Sequence, residues 1–220
     1  MFNGFNDKTF EFFMAIRFNN NRDFFHENRD WYVNNVRMPM LELCREFSSM
    51  MDDIDSSLET RAEKCVCRVN RDIRFSKDKS PYRDYSFFSF RRPSSNSGAV
   101  PGFYFDISDG GASYGMGLYD RNIAMMNGFR GLIERDDGEL LDCVGRALGE
   151  FCLHGNVIKR MSVPDGLPEQ LKLFYPLRGF YLEKDINDVG LLKSSELAQE
   201  MKRGYAITAD LYKALISVYV

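Results

Sequence analysis

Apolar positions in the first fifty residues recur at helical spacing. Phe10, Phe13, Met14 and Phe18 predict a helix over residues 6–18, with Asn6 or Asp7 as its cap. Asn19, Asn20 and Asn21 interrupt it. A second helix is expected from Arg22 to about Asn35, with Phe24, Phe25, Trp31 and Tyr32 as its aromatic content. Pro39 suits the first turn of a third helix that carries Leu41, Leu43, Cys44 and Phe47. The polar stretch from Asp52 to Thr60 closes this helical part.

The period then drops from helical to two. Lys64 to Val69, Tyr85 to Arg91 and Phe103 to Ile107 alternate as strands do. Asp109-Gly110-Gly111 is a turn signal, and Ala112 to Tyr119 reads as the returning strand of a hairpin. Between these strands, Pro93 to Pro101 is rich in Ser, Asn and Gly and reads as a mobile loop.

Downstream, Asp120 is the expected cap of a helix through Ile133, and Gly138 to Phe151 reads as another. A short strand over Val157 to Val163, a turn over Pro164 to Pro168, a short helix to Tyr175 and a last strand at Phe180-Tyr181-Leu182 follow. Two helices, Lys193 to Arg203 and Ala209 onward, finish the chain. Helices, then a meander, then mixed elements predict an α+β fold, a mainly antiparallel β-sheet with helices packed on it. With no repeat and no linker, one domain is expected: a helical part at about 6–50, a β-rich middle at about 64–119 and a mixed part at about 120–220.

Composition narrows the setting. An apolar fraction of 44% and a charged fraction of 28% suit a soluble globular protein rather than a disordered one. Five cysteines, with no signal-peptide pattern at the start, predict free thiols in the cytoplasm. No apolar run has the length for a membrane span. The net charge of −3 argues against wholesale binding to nucleic acid or membrane, so any such contact needs a local patch.

One patch stands out. From Arg68 to Arg92 there are eight basic residues and three acidic ones, a balance of +5 within a chain of −3. Its centre, Arg71 to Tyr82, follows directly on a strand-like stretch. Arg71 and Arg74 offer planar forks matched to phosphate or carboxylate, and Lys77 and Lys79 are mobile point charges. Ser76, Ser80 and Tyr82 add hydroxyl donors. A loop of this kind can wrap a small anion. Equally, Arg71–Asp72, Lys77–Asp78 and Arg83–Asp84 alternate in sign, as a lattice of internal ion pairs does.

These residues also carry a resemblance. The sequence resembles a conserved uncharacterised-protein family of bacteria and fungi, a domain of unknown function. That family is marked by a central RDxRFSKDKSPY element and an early NNxxxFxxN element. The first is met at Arg71, Asp72, Arg74, Phe75, Ser76, Lys77, Asp78, Lys79, Ser80, Pro81 and Tyr82. The second is met at Asn20, Asn21, Phe25 and Asn28, with Phe24 where the family more usually has Trp. Looser likeness continues through Gly115-Met116-Gly117, Arg121 and Lys159-Arg160. The resemblance implies a shared fold and a shared central element, and no activity.

The early asparagines have two readings. They can close a turn and cap the next helix, or Asn20, Asn21 and Arg22 can face the basic loop across a shared cleft. His26 and His154, the only histidines, lack metal-ligand neighbours at useful spacing. Cys65-x-Cys67 has no second pair to complete a tetrahedral site. No phosphate-cradling GxxxxGK[ST], GxSxG or HExxH occurs, and no cofactor is indicated.

The expected site is therefore Arg71, Asp72, Arg74, Ser76, Lys77, Lys79 and Tyr82, with Asn20 and Arg22. Three functions remain open. One is a module binding a small phosphorylated or carboxylated ligand. Another is an enzyme on such a compound, with Asp72 or Asp78 as acid or base and Arg71 orienting the anion. The third is a protein or nucleic-acid interaction module that uses the patch and the Ser-rich loop near Ser94, with nucleic acid the less favoured partner.

Overall fold

The computed structural model describes residues 1–94, 96–135 and 138–219. Helix α1 (Asp7–Phe18) starts where Asn6 and Thr9 exchange hydrogen bonds, the side chain of each accepting from the backbone N–H of the other at 3.2 and 3.3 Å. The helix expected from Arg22 to Asn35 is broken: α2 (Arg22–Glu27) ends at Asn28, and α3 (Arg29–Tyr32) runs into a π-helical turn at Val33–Arg37. Asn28 makes the break by bonding its side-chain amide back to Phe24 O at 2.9 Å. The helical path continues as α4 (Met38–Arg45), with Pro39 in its first turn as expected, and then α5 (Ser48–Ile54).

The strand expected at Lys64–Val69 is a correction. Ala62–Cys65 forms a helical turn, α6, closed by Val66 N–H on Ala62 O at 2.8 Å. With those donors committed, an isolated bridge from Val66 to Phe88 and a bond from Cys67 N–H to Phe87 O tie the segment to the sheet edge in place of a paired strand.

The sheet itself is antiparallel throughout. Its strands are β1 (Tyr85–Arg91), β2 (Gly102–Ser108), β3 (Gly111–Gly117), β4 (Cys152–Val157) and β5 (Leu177–Ile186), in the order β1-β2-β3-β5-β4. The β2–β3 hairpin turns where the sequence places Asp109-Gly110-Gly111, with Gly111 at φ 126°. Two further strand boundaries move. The strand expected at Val157–Val163 lies earlier, as β4, and β5 is much longer than Phe180–Leu182. The preceding helix, α8 (Glu139–Leu148), stops three residues short of Phe151 because Gly149 and Glu150 turn the chain into β4.

Alternation divides the sheet into two faces. One carries Phe88, Phe90, Phe103, Phe105, Tyr114, Met116, Phe180 and Leu182, all buried. Helices cover it. Phe47 after α4 meets Phe88, Phe90 and Tyr205, Phe5 stacks on Phe105, and Phe129 of α7 (Ile123–Glu134) meets Phe180. Phe174 of α9 (Glu169–Phe174) joins that last pair. Each such ring contributes about 1.5–3 kcal/mol on burial.

After α10 (Val189–Leu192), the last two expected helices are one, α11 (Glu196–Ser217). The helix runs unbroken from Arg203 to Ala209, and Gly204 between them is a packing site: a Cβ there would stand 2.4 Å from the Tyr114 hydroxyl. Glycine costs the helix about 1 kcal/mol, and the close approach of the buried Tyr114 ring offsets it.

The opposite sheet face is polar and partly exposed. Across it run Arg91, Gly102, Gly117, Tyr181 and His154 in one row and Ser89, Tyr104, Gly115, Glu183 and Cys152 in the next. No described helix is long and apolar enough to cross a membrane.

Candidate anion-binding cleft and the central basic loop

The Arg71–Tyr82 loop projects from the β1 edge, closed at its base by a bridge between Asn70 and Tyr82. Asn20 anchors it: its side-chain amide donates to Tyr82 O at 2.9 Å and accepts from Tyr82 N–H at 3.0 Å. The buried Tyr82 ring stacks on Phe25 with 4.2 Å between centroids. Asn20 therefore faces the loop, whereas Asn21 caps α2 by accepting from Phe24 N–H at 2.9 Å. Arg22 is exposed in the first turn of α2.

Inside the loop the arginines are engaged. Arg71 binds the Asp78 carboxylate and reaches Ser80 O at 3.4 Å. Arg74 forks onto Asp72 at 2.9 and 2.6 Å. These partners hold both acids low: the Arg74 bonds bring Asp72 down to about 2, and Arg71 with the Ser80 N–H lowers Asp78 further. Lys79 Nζ donates to Ile73 O at 3.0 Å, and Ser76 N–H to Ile73 O at 3.3 Å. Lys77 is exposed and has no carboxylate partner among the described residues.

A second basic group lies at the opposite edge and the opposite end of the sheet. There β4 and β5 meet the segment entering α7, and an open cleft of about 1040 Å³ forms. Arg121, Lys159 and Arg178 line it with Tyr119, His154 and Tyr181. All three cations are exposed, and none makes an ion pair among the described residues. One acid, Asp120, shares the lining.

The walls are tied down. Asp120 N–H bonds Gly98 O at 2.7 Å, Asn122 N–H bonds Arg178 O at 3.2 Å, and the Asn122 amide donates to Ala99 O at 3.0 Å. Asn122, not Asp120, caps α7, by accepting from Met125 N–H at 3.1 Å. The segment expected to be a mobile loop contains a short 3₁₀ turn, Ser97–Ala99, which these bonds pin; Ser95 lies outside the described residues. Gly117, at φ 150°, lets β3 leave the sheet beside Phe180 O.

Next to the cleft, the polar face holds a carboxyl pair. Glu183 accepts from Tyr104 O–H at 3.1 Å, and the single Ser113 O–H donates to Asp106 at 2.8 Å with Glu183 Oε2 3.3 Å from the same hydroxyl. Burial, with the nearby Glu183 charge, pushes Asp106 up to about 6, against the Ser113 hydrogen bond that lowers it. His154 Nε2 lies 3.6 Å from Glu183 Oε1 and stacks on Tyr181.

Among the described residues no cluster of three or more His, Cys, Asp or Glu side chains is arranged to hold a metal ion. Cys65 Sγ donates to Glu59 O at 2.9 Å, and Cys44, Cys65, Cys67 and Cys152 are free thiols. The expected site residues thus meet in one loop, except exposed Arg22, for which no bond to the loop appears. The cleft combines positions from four separate segments, with Asn96 the fourth, and the sequence marked Arg121 and Lys159 only through a loose resemblance. Tyr119 and Arg178 gave no local signal.

A comparison with curated proteins found no match. The family model described as a conserved hypothetical protein (DUF2461) matches residues 8–213, almost the whole chain, and the protein belongs to that family.

Proposed function

We propose that this protein binds a small anionic ligand, phosphorylated or carboxylated, in the cleft lined by Arg121, Lys159 and Arg178. One observation carries the reading: three cations line one open cleft with a single carboxylate, Asp120, among them, and none of the three makes an ion pair among the described residues. Exposed like charges brought together repel, and an anion relieves that repulsion while taking charge-assisted hydrogen bonds. The cleft's volume, about 1040 Å³, is just above the ~300–1,000 Å³ of small-molecule sites.

A second reading places the anion on the Arg71–Tyr82 loop, with Lys77 as first contact and Arg71, Arg74, Ser76 and Lys79 closing around it. The unpaired Lys77 favours it. It requires Arg71 and Arg74 to exchange Asp78 and Asp72 for the ligand.

Calorimetric titration with inorganic phosphate separates the two. Arg121→Gln and Arg178→Gln are expected to weaken binding about tenfold or more each, since each removes a charge-assisted contact. Lys77→Gln is expected to leave it unchanged. Loss of binding in Lys77→Gln alone would move the site to the loop.

A further inference from the structure

The geometry points to a more specific ligand for the cleft, a nucleoside monophosphate, its base stacked on Tyr119 and its phosphate held by Arg121, Lys159 and Arg178. This rests on the anion-binding reading above and adds the ligand's second half.

Cations alone do not explain the cleft's aromatic content. Tyr119 is 80% exposed, although it is anchored in a rigid segment. A large ring displayed from a fixed backbone gains little from folding and leaves a π-face unused. Tyr119 also does not stand alone. Its ring centroid is 6.5 Å from that of Tyr181 with planes 31° apart, and Tyr181 lies 5.1 Å from His154 at 17°. Tyr181 thus stacks on His154, and Tyr119 lies tilted next to Tyr181, beside Arg121 in the lining.

Asn156 adds an amide that can donate to and accept from a base edge. A stacking surface next to an unpaired cation cluster matches a ligand with a flat aromatic part and an anionic part. A sugar phosphate or a dicarboxylate uses only the cations.

Calorimetry with AMP, UMP, ribose 5-phosphate and inorganic phosphate tests this on the full chain at moderate salt. AMP is expected to bind about tenfold or more tightly than ribose 5-phosphate, the order of one base–aromatic stack. Tyr119→Ala, which removes an exposed ring and leaves melting unchanged, is expected to erase that preference, and Tyr181→Leu to reduce it.

If ribose 5-phosphate and phosphate bind but AMP binds no tighter, the nucleotide assignment fails and the anion site stands. If none of the four binds, both fail. A short 5′-phosphorylated RNA that binds far tighter than AMP, with a steep salt dependence, would also overturn the assignment, in favour of a strand end.

Discussion

In the Arg71–Tyr82 loop, each arginine finds an acid within two or seven residues of itself; in the cleft, Arg121, Lys159 and Arg178 come from three segments, share the lining with one acid, Asp120, and make no ion pair among the described residues. The loop has the denser charge along the chain, and the cleft has the more available charge in space. Charge density in a sequence counts residues. Availability to a ligand depends on which counter-charges the fold brings alongside. A run that alternates in sign over short distances neutralises itself. The acids tell the same story: Asp72, engaged by Arg74, sits at about 2, whereas Asp106 on the face beside the cleft is held up at about 6.

This contrast gives its largest expected effect at Asp106. Its carboxyl ordinarily titrates near 3.8 and is raised to about 6 in the folded protein. The folded state therefore holds the proton more tightly than the unfolded one. Stability from this group is full below about 3.8 and is lost as pH rises through about 6. Asp106→Asn, which keeps an acceptor for Ser113, is expected to raise stability at pH 8 by on the order of 3 kcal/mol. The gain should vanish near pH 3, and denaturant melts at the two pH values check it. An equal gain at both would mean that the carboxyl is not strained by its surroundings.

Next comes the loop's anchor. Asn20→Ala leaves both the N–H and the C=O of Tyr82 without their partner. A loss of about 2 kcal/mol is expected by urea denaturation. Phosphate affinity at the cleft should not move, because the two sites occupy opposite edges of the sheet.

The smallest effect is expected at Arg74→Gln. The Arg74–Asp72 pair is exposed on both sides, and thermal melting is expected to change little. A large drop in melting temperature would show that the loop's ion pairs hold the fold and are more than mutual neutralisation.

The sequence made some of this legible and hid the rest for physical reasons. The β2–β3 hairpin is visible because alternation and a Gly-Gly turn agree on one local answer. Helix α11 is misread as two because the reason for Gly204 lies in Tyr114, ninety residues away along the chain. At Lys64–Val69 the alternation is real, yet a helical turn takes the donors a strand needs.

The loop is visible as a motif, but whether its arginines face a ligand or their own acids is a matter of side-chain geometry. The cleft is the least visible. Tyr119, His154, Lys159 and Arg178 have nothing in common until β4, β5 and the entry to α7 bring them together.

The central claim is that the available positive charge, and hence the anion, is at the cleft. Amide NMR shifts on titration with inorganic phosphate test it most directly, because they report position. The account predicts shifts clustered at Tyr119–Asn122, His154–Lys159 and Arg178–Tyr181, with Arg71–Tyr82 unmoved. Shifts confined to Arg71–Tyr82 would contradict it and return the site to the loop.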